Sequence, residues 1–208
     1  TGAVSAVTDA TQSDVRTTAG GGSIVVRTAS GALTLNDGSA LADNAAVSAN
    51  CGGNVLLEAI GTGTDVTANA DVVSGSGHLT VLAARSVVFT ANADLTTGLT
   101  GTIGLEAGTG SISLSTTSNQ TTGSGDMRFL AAEDIPLGGV ATTAGSFSAT
   151  ATAGTILDGD SDGSVDLAAN GLRLVAGTGI GQLGGSVNPL ETTVTTVSAR
   201  AAGGGISL

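Results

Sequence analysis

The chain has 208 residues, including 34 glycines and three phenylalanines (Phe89, Phe129 and Phe147), with no tyrosine or tryptophan. Glycine at that density excludes a helical protein, because each one in a helix interior costs about 1 kcal/mol relative to alanine. Six arginines, no lysine and 17 acidic residues leave a net charge of −11, which argues against nucleic acid or anionic lipid as a partner.

A hydrophobic fraction of 40% is too high for a disordered chain. No apolar run approaches the roughly 18 residues that span a membrane, so membrane insertion is not expected. Cys51 is the only cysteine, which rules out a disulfide within these residues. The opening Thr1-Gly-Ala-Val4 reads as the interior of a longer protein.

In chain order, Ile24 and Val26 alternate with polar neighbours, and Leu33 and Leu35 repeat the alternation shortly after. The step from Gly22 to Gly53 is longer than those that follow, so the stretch from Asp37 to Asn50 is expected to loop out. Glycines then recur at one fixed interval, at Gly53, Gly77, Gly101 and Gly125, and open GNVLL, GHLTV, GTIGL and GDMRF. The offset from Ile24 to Leu33 returns in Ile103 with Ile112, Leu105 with Leu114, Leu79 with Val88, and Phe147 with Ile156. A third signature, Thr67-Ala-Asn-Ala-Asp-Val72, recurs about one glycine interval later as Thr90-Ala-Asn-Ala-Asp-Leu95. From Gly125 to Gly145 the step shortens, and beyond residue 158 the spacing drifts, although Leu172-Arg-Leu174 and Ile206-Ser-Leu208 keep the alternation. The glycine triple before Ile206 echoes the one before Ser23-Ile24, which suggests a superunit of about 180 residues.

Alternation of period two marks strands, and Gly, Asn, Asp and Ser between them mark turns. A fixed period of this size marks a repeat architecture in which each unit buries its apolar face on its neighbours. The expected fold is all-β: a right-handed parallel β-helix with about three short strands per coil of about 24 residues. It should form one solenoid segment over 1–208, with regular coils at about 20–157 and looser ones over 158–208. Like then stacks upon like: Val55, Leu79, Ile103 and Met127 in one inner ladder, and Leu57, Val81, Leu105 and Phe129 in the next. The ends expose unpaired strand edges, so the expected partners are further coils of the same chain or like subunits end to end.

One segment carries candidate chemistry. Asp158-Gly-Asp160-Ser-Asp162-Gly163-Ser164-Val-Asp166 sets carboxylates at alternate positions with glycine at the sixth, the first half of a calcium loop. Asp158, Asp160 and Asp162 would supply side-chain oxygens, Ser164 a backbone carbonyl, and Asp166 a direct or water-mediated oxygen. The twelfth position is Ala169 rather than a bidentate glutamate, so a helix-loop-helix site is excluded and a weaker Ca²⁺ site on a strand connection is expected. Asp65, Asp71 and Asp94 suit turns. His78, the only histidine, points outward by alternation, and Cys51 is expected as a small buried or corner residue. Glu133, Asp134 and Arg128 invite comparison with polysaccharide-cleaving β-helices, which need a basic group among several carboxylates in one cleft.

GHLTVLAARSVVFTANADL (77–95) and GTIGLEAGTGSISL (101–114) resemble the repeats of filamentous-haemagglutinin-type exoproteins, the very large bacterial surface adhesins exported by two-partner secretion or related routes. Gly177-Thr-Gly-Ile-Gly181, Asn188-Pro-Leu-Glu-Thr192 and Ala202-Gly-Gly-Gly-Ile-Ser-Leu208 are similar to a module of such proteins, and the likeness covers most of 20–208. It implies a β-helical shaft at the bacterial cell surface or secreted from it. The family's amino-terminal secretion domain has no counterpart in these residues. The expected function is a structural and adhesive module with no catalytic residues, directed at a cell-surface or glycan target. The alternative is a carbohydrate-binding or polysaccharide-cleaving β-helix. A groove lined by three or more outward carboxylates with Arg128 would favour that alternative.

Overall fold

Valine, isoleucine and leucine at alternate positions make strands of two to ten residues, and each stacks in parallel on the strand one coil earlier. The computed structural model describes residues 14–39, 43–139, 141–160, 162–183 and 187–208, and among these there is no helix. Six coils of three strands follow one another. They are β1 (Val15–Arg16), β2 (Ile24–Thr28) and β3 (Leu33–Leu35); β4 (Ala45–Ala49), β5 (Val55–Ala59) and β6 (Val66–Ala68); and β7 (Asp71–Ser74), β8 (Leu79–Ala83) and β9 (Val87–Phe89). Next come β10 (Leu95–Thr97), β11 (Ile103–Ala107) and β12 (Ile112–Leu114); β13 (Gln120–Thr121), β14 (Met127–Ala131) and β15 (Ile135–Leu137); and β16 (Ala141–Thr142), β17 (Ser146–Ala151) and β18 (Ile156–Asp158). Two further windings are built on the long strands β19 (Leu167–Ala176) and β20 (Thr192–Ala201).

The result is a parallel β-solenoid with three faces. One face stacks β1, β4, β7, β10, β13 and β16, the second stacks β2 through β17, and β19 joins both into one sheet. The third face stacks β3, β6, β9 and β12, then β15 with β18. Its inner row continues as isolated bridges from Ile156 to Ile180 and on to Ile206. The register is the expected one: Ile24, Val55, Leu79, Ile103, Met127, Phe147, Leu172 and Val197 pair in sequence. The second row runs Leu57, Val81, Leu105, Phe129, Ala149 and Leu174, all buried. Phe129 and Phe147, side by side in neighbouring rows, meet edge to face at 4.9 Å.

The regularly spaced glycines stand in one column. A Cβ on Gly77, Gly101 or Gly125 would meet the carbonyl of the glycine one coil earlier, at 2.5 Å for Gly101 against Gly77. Backbone therefore lies directly on backbone at this corner, and only glycine fits. Hydroxyls beneath the column satisfy its carbonyls: Ser74 Oγ donates to Gly53 O (2.7 Å), Thr97 Oγ1 to Gly77 O (2.7 Å) and Thr143 Oγ1 to Gly125 O (2.6 Å). This closes the hydrogen bonding of a buried turn that would otherwise carry orphaned groups.

The structure departs from the sequence expectation in three places. Within the stretch expected to loop out, Asp37–Asn50, Ala45–Ala49 forms β4, paired with β1 and β7, and residues 40–42 lie outside the described ones. Val88 faces outward, while Val87 and Phe89 are buried, because the turn before β9 is one residue shorter than the turn before β12. A one-residue slip moves every side chain of a strand to its other face. In the stretch beyond 158, β19 and β20 keep register from Leu167↔Thr192 to Ala176↔Ala201, while residues 161 and 184–186 lie outside the described ones. Finally, the two glycine triples occupy different corners: Gly20–Gly22 leads into β2 on the second face, whereas Gly203–Gly205 leads to Ile206 on the third. The apparent superunit is therefore out of phase.

Candidate functional site

The acidic segment joins β18 to β19, and its conformation follows from aspartate chemistry. Each side chain takes the amide two residues on: Asp160 N donates to Asp158 Oδ1 (2.8 Å), Asp162 N to Asp160 Oδ1 (3.1 Å) and Ser164 N to Asp162 Oδ1 (2.6 Å). Gly163 at the sixth position has φ of 74°, the left-handed conformation that such a loop requires there.

Of the five expected oxygen donors, the loop brings three together. Asp158, Asp160 and Asp166 each place a carboxylate oxygen within 4.8 Å of the other two. Asp162 and Ser164 lie outside this group and are exposed. Asp162 is held below the usual carboxylate range by the Ser164 amide. Burial raises Asp160 above that range, with the Asp158 and Asp162 charges adding to the shift. Burial also pushes Asp166 up to about 7, with Asp158 and Glu191 nearby.

Asp158 sits where no other coil puts a charge. It ends β18 opposite Leu137. In the coils before it, the corresponding third-face position holds Leu35, Ala68, Phe89, Leu114 and Leu137, all buried. Asp158 is only 8% exposed, and its Oδ2 is enclosed with no hydrogen-bond partner.

The following winding closes the site. Glu191 N donates to Asp166 Oδ2 (2.8 Å), Asp166 N donates to Glu191 O (2.9 Å), and Asn188 Nδ2 donates to Asp160 O (3.1 Å). Glu191 Oε2 is also enclosed without a hydrogen-bond partner. Asn188 and Glu191 were not assigned to the site from sequence. The available signal was the period, because Glu191 stands to Asp166 as Thr192 stands to Leu167, one winding further on.

The other candidates have structural roles. Asp71 and Asp94 stack at one corner, where Asp71 Oδ1 accepts Asp94 N (2.8 Å) and Asp94 Oδ1 accepts Asn119 N (2.8 Å). Asp65 sits at a different corner, bound by Arg85 Nε (2.7 Å), and that guanidinium holds its carboxyl below the usual range. His78 is exposed and belongs to a third such stack, accepting Thr102 N at Nδ1 (3.3 Å) while its own amide donates to Asn54 Oδ1 (2.8 Å). Cys51 is a corner residue with φ of 51°, exposed rather than buried. Asp14, Asp37 and Asp43 form a second acidic group near the first coil, with Asp37 and Asp43 exposed and Asp14 half-buried.

Two surface depressions were candidates for a groove. One, of about 340 Å³, is lined by Glu58, Ile60, Leu82 and Glu106 among small residues. Glu58 pairs with Arg27 (3.0 Å) and Glu106 with Arg128 (3.5 Å). The other, of about 440 Å³, contains Glu133 and Asp134 but not Arg128. Neither holds the three outward carboxylates with Arg128 that would favour a polysaccharide-cleaving cleft.

The molecule is thus a parallel β-solenoid whose one buried acidic cluster, among the described residues, lies where the three-strand coils give way to long strands. No protein-family model, curated protein or solved structure matches the chain.

Proposed function

We propose that the chain is a length of shaft in a large bacterial surface or secreted protein of the filamentous-haemagglutinin type. It serves adhesion by holding other parts of that protein away from the cell. The observation that carries this reading is the unbroken inner ladder, in which Ile24, Val55, Leu79, Ile103, Met127, Phe147 and Leu172 stack in register and are all buried, as in a shaft assembled from like coils. The surface also suits a shaft, with shallow depressions and, since Phe89, Phe129 and Phe147 are buried, no aromatic platform for sugar rings.

Electron microscopy of the native material tests this. Rods one coil wide and far longer than the roughly 40 Å that eight rows span are expected. Compact separate particles would overturn the shaft reading and return attention to the depression beside Glu58 and Glu106 as a sugar site.

A further inference from the structure

We propose that Asp158, Asp160 and Asp166 form a calcium site that clips the last two windings to the regular coils. An inward carboxylate in a solenoid core is costly unless something compensates it, because burial strips its water without supplying a partner. The third-face row makes the anomaly plain. Five coils fill this position with Leu35, Ala68, Phe89, Leu114 and Leu137, and the sixth places Asp158 there with Oδ2 enclosed and unpartnered. No ion pair among the described residues neutralises Asp158, Asp166 or Glu191.

A cation at this point meets each of these needs. Three carboxylate oxygens within 4.8 Å of one another offer the hard ligands that Ca²⁺ prefers. Glu191 adds a fourth negative charge beside Asp166, in place of the glutamate that Ala169 fails to supply at the twelfth loop position. Asn188 holds the Asp160 carbonyl, so the 188–191 segment and the acidic loop close on the ion together. The donors come from β18, from the connection after it and from the corner before β19. Binding therefore ties three consecutive pieces of chain, and through Glu191 the next winding. With few side-chain donors and no bidentate glutamate, the affinity belongs with extracellular modules, at a Kd of about 10⁻⁴–10⁻³ M.

The test is calorimetric titration and thermal melting of the chelator-stripped chain with calcium chloride. One ion per chain and a Tm rise of about 5 °C at a hundredfold excess over Kd are expected. Asp158→Leu restores the apolar row, so it should melt no lower than the metal-free parent and lose the calcium response. Asp166→Asn keeps an acceptor for the Glu191 amide and should weaken binding at least tenfold. Asp162→Ala should change Kd by less than about threefold. Absence of heat and of any Tm shift up to about 10 mM calcium, well above the expected Kd, would overturn the proposal. So would a response that survives in Asp158→Leu, or one abolished by Asp162→Ala.

Discussion

Replacing Gly77 by alanine drives a methyl group into the Gly53 carbonyl, with the carbonyl carbon at 2.5 Å and Asn54 N at 2.9 Å. Both obstacles are backbone of the adjacent coil, so neither can swing aside. A loss of about 3 kcal/mol or more is expected, seen as a fall in Tm of roughly 6–12 °C. Gly104 lies in mid-strand with nothing within 4 Å of a Cβ and no left-handed φ. There alanine should gain about 0.5–1 kcal/mol, because glycine in a strand loses more backbone entropy on folding. A pair of melting curves decides whether the column, rather than glycine content in general, holds the repeat. The carboxylates divide in a similar way. Asp65 is lowered by Arg85, so its contribution is full above the unfolded value of 3.8 and is lost as pH falls through its folded value. Asp71 is raised by burial, so it costs stability above its folded value, and that cost fades as pH falls toward 3.8. Asp65→Asn should therefore lower Tm at pH 7, and Asp71→Asn should raise it, since asparagine keeps an oxygen for the Asp94 and Asn44 donors. Both differences should shrink toward zero in melts below about pH 3.8.

At the scale of the strand, legibility depended on where glycine fixes the phase. The second face was readable residue by residue, because the glycine column ties each of its strands to one starting point. Val55, Leu79, Ile103 and Met127 align as their spacing requires. The third face has no such anchor. Its distance from the second is set by a turn that varies from three to six residues, and that variation exchanged Val87 for Val88. β4 was hidden for another reason: Ala-Ala-Val-Ser-Ala has little apolar contrast, and what makes it a strand is the open edge of β7 beside it. The first face also carries Gln120 at an inner position, buried with Oε1 unpartnered, where a purely apolar pattern fails. The acidic site was half legible. The alternate aspartates announced a loop, whereas Asp158 as a core residue and Glu191 beside Asp166 depend on coil register, which no local motif encodes.

For the whole molecule, the consequential fact is that, among the described residues, the strands of each coil pack on those of the coils on either side of it. Stability in such an array is close to a sum of coil and interface contributions, so an end coil opens by breaking one interface while an inner coil must break two. The last winding has the weaker position twice over, since Val197, Ile206 and Leu208 face solvent. Amide hydrogen exchange should therefore be slowest in β8, β11 and β14 and should quicken through β19 to β20. The calcium proposed at the Asp158 cluster should alter one step of that gradient. By tying β18 to the windings after it, the ion should slow exchange in β18, β19 and β20 by about tenfold or more, while β5 and β8 stay unchanged. Uniform protection along the chain would mean that the coils unfold as one cooperative unit, with interfaces too strong for the ends to fray. Calcium-induced slowing spread evenly over all coils would show that the ion stabilises the fold globally instead of clipping this junction.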